Sequence, residues 1–206
     1  MLGEKLRQKL KKPLEKIGSL IAKTGINPNI FSSFAILWAV IAAYFIANEN
    51  ITIGFIFVIL AAIWDALDGS LARAEGKVSK FGNYLDALID RYVEIIIYLG
   101  FAFAGFQIEA FLVISGSLVV SYAKARTAII TQVDNHGWPT IGERLDRLVL
   151  LIIAMLISIF LPSAKIFGFA ISSMSLFLYL IAIIVYIGSV QRIFYAKKII
   201  EGNKKI

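Results

Sequence analysis

Six stretches of the chain are almost continuously apolar: roughly Ile30 to Ala47, Ile51 to Leu71, Leu85 to Phe106, Ala110 to Ala128, Leu148 to Leu161 and Ile166 to Tyr195. A helix needs ~20 predominantly apolar residues to cross a ~30 Å hydrocarbon layer, and each run approaches or exceeds that length. Polar and turn-forming residues separate them: Asn48-Glu49-Asn50, Ala104-Gly105-Phe106-Gln107, a stretch from Asp134 to Gly142 that contains Pro139, and Pro162-Ser163. The pattern predicts six transmembrane helices. Residues 1–25 have a different period: Leu6, Leu10, Leu14, Ile17, Leu20 and Ile21 recur at three- and four-residue steps among Lys5, Arg7, Lys9, Lys11, Lys12, Lys16 and Lys23. That spacing predicts an amphipathic helix lying in the membrane interface. Its apolar core is interrupted by Lys and Glu15 and no small-residue cleavage site follows, so it does not read as a secretory signal and is expected to be retained.

Composition agrees with lipid as the solvent. Of the 206 residues, 59% are hydrophobic and 17% charged, against about 45–50% and about 25% in soluble domains. The absence of cysteine, with one histidine (His136), removes disulfides, thiolate chemistry and most histidine chemistry. An enzyme built from this chain must therefore work with carboxylates, hydroxyls, Lys or Arg. The six-span topology places 20 of the 21 Lys and Arg residues on one side of the membrane, leaving Lys165 on the other. The positive-inside bias then predicts a multi-pass protein of the cell membrane with both termini cytoplasmic. The net charge of +7 is thereby explained by orientation, and no nucleic-acid partner is implied. With no repeats, residues 1–206 are read as a single domain: a juxtamembrane helix over 1–25 and a six-helix bundle over 26–206.

Acidic residues break the apolar pattern at one place. Asp65, Asp68, Asp86 and Asp90 fall at or inside the ends of the second and third runs, where an ionisable group is costly and marks function by default. Spacings of three and four put each pair on one helix face. The connection from roughly Arg73 to Lys80 is short enough to make the two helices antiparallel neighbours, so the four carboxylates should converge. Four such groups do not all ionise without a cation, and an all-oxygen ligand set suits Mg²⁺, Mn²⁺ or Ca²⁺. Gly69, Ser70, Ala72 and Gly82 leave room for a ligand near the backbone, and Arg73 can reach a phosphate. A phosphate-containing substrate with a lipid half fits these features. A single Asp at a span end is more often a solvated cap; four at these spacings are not explained that way. A transporter would carry its acidic residues nearer the midplane, and a membrane-anchoring scaffold would need none of them.

The run Asp65-x-x-Asp68-Gly69-x-x-Ala72-Arg73, eight residues, then Gly82-x-x-x-Asp86-x-x-x-Asp90 resembles the signature of the CDP-alcohol phosphatidyltransferase family at every position. The resemblance implies a membrane enzyme that transfers a phosphatidyl-type group from a CDP-linked lipid to an alcohol and releases CMP. It implies that Asp65, Asp68 and Asp86 hold two divalent ions, Mg²⁺ or Mn²⁺, and that Asp90 completes the metal site and acts as general base. It further implies that Gly69, Ala72, Arg73, Ser79 and Gly82 line the CDP-lipid pocket, and that the chain forms a homodimer. Pro28-Asn29-Ile30-Phe31 resembles a nucleotide-contacting segment of the family, although Pro and Asn there also signal a helix start.

The acceptor alcohol is a separate question. Lys124 and Arg126 end the fourth run, Arg144 and Arg147 open the fifth, and Gln191-Arg192 lies near the end of the sixth. Arg forks match phosphate oxygens, and these cations share the predicted membrane side of the aspartates. The Tyr-x-Lys-Ala-Arg and Glu-Arg-x-x-Arg segments, with the later Gln-Arg, are similar to the family's inositol phosphate branch, the phosphatidylinositol-phosphate and archaetidylinositol-phosphate synthases. That similarity implies an inositol phosphate acceptor held by Lys124, Arg144 and Arg192, with Arg126 and Arg147 in reserve; glycerol 3-phosphate is the alternative. Span-end cations also snorkel. Glu143 and Asp146 are expected to pair with them, His136 to be no ligand, and Trp38, Trp64 and Trp138 to pack or anchor at interfaces.

Overall fold

The computed structural model describes residues 13–74, 76, 79–131, 140–166 and 169–202. Lys5, Leu6, Arg7, Lys9, Leu10, Lys11, Lys12, Lys77, the Asp134–Pro139 stretch with His136 and Trp138, and Lys204 and Lys205 lie outside the described residues. The fold is dominated by helices: α1 (13–22), α2 (Pro28–Ala47), α3 (Ile51–Ala74), α4 (Lys80–Phe103), α5 (Gln107–Ile130), α6 (Arg144–Phe160) and α7 (Ser173–Gly202). Two compact units divide at Gln107, so α1 to α4 belong to the first and α6, α7 and nearly all of α5 to the second.

In the first unit α2 packs along both α3 and α4. Its start is dictated locally: Asn27 caps it, the side chain accepting from the Asn29 amide at 2.9 Å, and Pro28 supplies a fixed φ in the first turn. Its inner stripe is mostly small, with Ala35, Ala39, Ala42 and Ile46 fully buried. Small residues let helix backbones approach in lipid, where burial against hydrocarbon gives little drive of its own. A Cβ at Gly100 of α4 would stand 2.6 Å from Ala43 Cα, and one at Gly54 of α3 would stand 2.6 Å from Ile46 Cγ1. Trp64 anchors the crossing of α2 and α3. Its ring stacks on Phe31 at 4.6 Å and its Nε1 donates to the Phe31 carbonyl at 2.9 Å, while Trp38 stacks on Phe57; both tryptophans pack, as expected. The helix α1 is joined to the same core, with Leu14, Ile21 and Ala22 against Phe31, Leu67 and Leu71.

In the second unit α6 packs on α7, and a Cβ at Gly116 of α5 would meet Val185 Cγ1 at 2.8 Å. The outward faces of both units are apolar, as Phe34, Leu37, Phe103, Phe160, Ile183 and Phe194 illustrate. That exposure is what lipid requires, and the chain is a membrane protein.

Helices stand in all six predicted places, with three differences. Four of them, α2, α3, α5 and α7, are long and apolar enough to cross a membrane. The other two fall short for physical reasons: α6 has 17 residues against the ~20 of a span, and α4 carries Lys80, Asp86, Asp90, Arg91 and Glu94. The sixth apolar run does not begin as helix. Ser163–Ile166 and Phe169–Ser172 pair as two short antiparallel strands, Ser163 opposite Ser172, before α7 starts, a small addition to a fold that is otherwise helical. Hydrophobicity alone does not separate a short apolar strand from a helix end. Finally, α4 starts at Lys80, five residues before the predicted Leu85, because Ser79 caps it: its Oγ accepts from the Gly82 amide at 2.9 Å.

Candidate metal and substrate site

Three of the four aspartates meet. One carboxylate oxygen each from Asp65, Asp68 and Asp86 lies within 4.8 Å of the other two. Asp65 and Asp68 project from the last turns of α3, and Asp86 faces them from the second turn of α4. Their surroundings are graded. Asp68 is buried at 5% exposure, Asp65 is half-buried and Asp86 is open to solvent. The Ser32 hydroxyl adjoins the Asp68 carboxyl from α2, yet Asp68 Oδ2 is buried with no hydrogen-bond partner. A buried carboxylate oxygen left unpaired is costly, and two like charges beside it increase the cost. The donor set is hard oxygen, and an open edge at Asp86 gives a route in, so these residues fit a divalent cation such as Mg²⁺, Mn²⁺ or Ca²⁺. Asp90 lies one turn beyond Asp86 and outside this trio. It is partly buried, its Oδ2 3.9 Å from Arg91 Nη2, and Arg91 bonds Glu94 at 3.3 Å.

The small residues of the signature border the carboxylates. A Cβ at Gly82 would meet Ser79 Oγ at 3.1 Å and Asn29 Oδ1 at 3.5 Å, so the starts of α2 and α4 adjoin. Asn29, Ser79 and Gly82 thus gather at one place. Arg73 lies along the last turn of α3, its Nη2 donating to Ser70 Oγ at 3.1 Å and its Nη1 passing Gly69; Ala72 is half-buried beside it. Within Pro28-Asn29-Ile30-Phe31 the residues differ: Asn29 is half-buried, Ile30 is exposed, and Pro28 and Phe31 are buried. The Phe31 ring stacks on Trp64, and its carbonyl accepts from Trp64 Nε1.

The predicted acceptor cations lie in the second unit and fall into two kinds. Lys124 and Arg144 are half-buried and Arg126 is exposed. Arg147 and Arg192 are buried, at 2% and 4% exposure. Arg192 donates to the Val120 carbonyl (2.9 Å), Thr140 Oγ1 (3.1 Å) and Glu143 Oε1 (3.0 Å). Arg147 donates to the Gly142 carbonyl at 2.6 Å. These bonds clamp the segment that leads into α6. Gln191 accepts from the Ile141 amide at 3.1 Å, and Gly142, at φ +73°, would bring a Cβ to 3.2 Å from the Ile184 carbonyl oxygen, so a side chain there is excluded twice. Glu143 pairs with a cation as expected.

Residues 26–195 match the family CDP-alcohol phosphatidyltransferase. The chain belongs to that family. It is 36% identical over 201 residues to the archaetidylinositol phosphate synthase of Pyrococcus horikoshii, spanning 96% of this chain and 97% of the relative. The phosphatidylinositol phosphate synthase of Streptomyces avermitilis is 29% identical over 165 residues, 75% of this chain and 66% of that one. Among solved structures, the Mycobacterium tuberculosis phosphatidylinositol phosphate synthase with CDP-DAG bound is similar at a TM-score of 0.73 and 25% identity, covering 88% of this chain and 94% of that chain.

Membership makes this chain an enzyme of the CDP-alcohol phosphatidyltransferase class. Two residues of the site were missed by sequence reasoning. Ser32 sits in an otherwise apolar helix and carries no spacing signal. Thr140 follows the turn-rich Asp134–Pro139 stretch, and nothing local marks it as the partner of Arg192.

Proposed function

We propose that this phosphatidyltransferase moves a phosphatidyl or archaetidyl group from a CDP-linked lipid to a hydroxyl of inositol 1-phosphate, giving the lipid-linked inositol phosphate and CMP. The observation that carries the reading is the trio Asp65, Asp68 and Asp86 with its unpartnered buried oxygen, at the end of an apolar helix and beside the small residues of the signature. The synthase names of the P. horikoshii and S. avermitilis relatives support the acceptor.

In this reading Asp65, Asp68 and Asp86 hold two ions, Mg²⁺ or Mn²⁺, with Asp90 completing the set. When bound, such ions neutralise charge that builds on the pyrophosphate oxygens of the CDP group as CMP departs. Asn29, Gly69, Ala72, Arg73, Ser79 and Gly82 line the pocket for that group, Pro28 and Ile30 flank it, and Phe31 forms its floor. Asp90 takes the proton of the attacking hydroxyl. The hydroxyl oxygen bonds to the phosphorus that bears the lipid, and the bond from that phosphorus to the CMP oxygen breaks. Lys124, Arg126 and Arg144 receive the acceptor phosphate. Arg192 joins them by holding the Thr140–Glu143 segment in place, and a phosphate that reaches its guanidinium does so in competition with Glu143.

The same reading makes residues 26–206 one catalytic bundle of six spans, with α1 at the interface, both termini and the site on the cytoplasmic side, and the chain a homodimer. The sided distribution of Lys and Arg supports the topology. An acceptor panel tests the function. Purified protein with Mg²⁺ or Mn²⁺ and either CDP-diacylglycerol or CDP-archaeol should release CMP with inositol 1-phosphate and not with serine or free inositol. Release with glycerol 3-phosphate alone would move the chain to another acceptor within the family.

A further inference from the structure

We propose that Gly18 and Ser70 are positioning residues for Arg73, so that α1 sets the geometry of the CDP-lipid pocket from behind; the inference rests on the reading of that pocket given above. On α1, Leu14, Gly18, Ile21 and Ala22 share one face. Leu14, Ile21 and Ala22 pack on the cluster of Phe31, Leu67 and Leu71, and Gly18 is buried between them. A Cβ at Gly18 would stand 2.8 Å from both the carbonyl carbon and the Cβ of Ser70, and 3.1 Å from the Leu71 nitrogen. Two of those three atoms are backbone of α3, in the turn that separates Asp68 from Arg73, so the clash is not relieved by turning a side chain.

Ser70 is itself 2% exposed. Among the described residues its charged partner is Arg73, whose Nη2 donates to its Oγ at 3.1 Å. Nη1 of the same guanidinium lies close enough to Gly69 that a Cβ there would be at 3.4 Å. The Arg73 side chain is therefore folded back over its own helix and held on one edge, although the residue as a whole is exposed. An Arg with few conformers left to lose binds an anion with less entropic cost than a free one. The chain of contacts runs from the α1 backbone to Ser70 and from Ser70 to the guanidinium. It makes the amphipathic helix a part of the site's scaffold as well as a membrane-surface element. Its remaining apolar residues, Ile17 and Leu20, are exposed on the other side beside Lys16.

A double-mutant cycle on substrate affinity tests the inference. The dissociation constant for CDP-diacylglycerol in detergent with Mn²⁺ is measured for the unsubstituted chain, Ser70→Ala, Gly18→Ala, Arg73→Ala and the two doubles with Arg73→Ala, so that the comparison does not depend on turnover. Ser70→Ala is expected to weaken binding about tenfold, as for one hydrogen bond to a charged group, with the melting temperature and the acceptor KM unchanged. Gly18→Ala should act in the same direction. In the Arg73→Ala background both effects should vanish. A loss that persists undiminished without Arg73 would overturn the proposal, because the two residues would then act through general packing. So would an unchanged affinity in Ser70→Ala. If the unsubstituted chain binds no CDP-lipid at all, the reading of the pocket itself fails and the proposal with it.

Discussion

The first unit gathers negative charge around a buried Asp68 oxygen that has no hydrogen bond, whereas the second buries positive charge among hydrogen-bond acceptors. Asp65, Asp68 and Asp86 converge within 4.8 Å, with Asp68 Oδ2 buried and unpartnered. Arg192 and Arg147 are buried as deeply, but Arg192 is spread over a carbonyl, a hydroxyl and a carboxylate, and Arg147 reaches a carbonyl. Burial and charge are alike in the two places; partners are not. A buried ionised group that finds hydrogen bonds inside the chain is architecture. A carboxylate oxygen that finds none fits a cation. The difference is why the proposed reading puts the chemistry at the acidic cluster, while part of the basic set shapes the segment entering α6.

The comparison breaks most decisively at Asp68. Asp68→Asn keeps the volume and removes the charge, and should lower CMP release on the order of a thousandfold by loss of the metal. Chelation of the unsubstituted protein should do the same, and added Mg²⁺ or Mn²⁺ should restore activity only in the latter. Next in size is Asp90→Asn, expected to cost about 10²- to 10⁴-fold in turnover, the range of a lost general base, while CDP-lipid affinity measured by direct binding is retained. Normal turnover would remove Asp90 from its assigned role.

The basic side sharpens the contrast in smaller steps. Arg144→Gln should raise the KM for inositol 1-phosphate about tenfold, with the melting temperature and the KM for CDP-lipid unchanged. Arg147→Ala should do the reverse: a thermal shift assay should show several degrees of destabilisation, following from about 2 kcal/mol for an orphaned carbonyl and a vacated site, with both KM values held. Glu143→Gln should have the smallest effect. That carboxylate is 46% exposed, so loss of its charge opposite Arg192 is worth under about 1 kcal/mol, a shift of a degree or two.

Much of this was legible in the chain because lipid makes the demand simple. Each apolar run had to be a helix, and Asp at a helix end had to have a reason; the helices α2 to α7 and the meeting of Asp65, Asp68 and Asp86 follow from those two statements. The paired strands Ser163–Ile166 and Phe169–Ser172 were not legible, since Ala, Ile and Phe serve a strand and a membrane helix equally. The docking of α1 was hidden for a related reason: its apolar residues divide between a face on α3, around Gly18, and a face outside, at Ile17 and Leu20, whereas periodicity sees one stripe. The anchoring of Arg192 was hidden more subtly. Its partners, Val120 and Thr140, are a backbone carbonyl and a neutral hydroxyl, and no charge pattern along the sequence points from them to an arginine.

The central claim is that the three-aspartate cluster holds a divalent ion, and Mn²⁺ titration followed by electron paramagnetic resonance tests it most directly. The unsubstituted protein should take up Mn²⁺ with loss of the free-ion signal, and Asp68→Asn, folded to the same melting temperature without metal, should leave that signal largely in place. Equal uptake by both proteins would contradict the account.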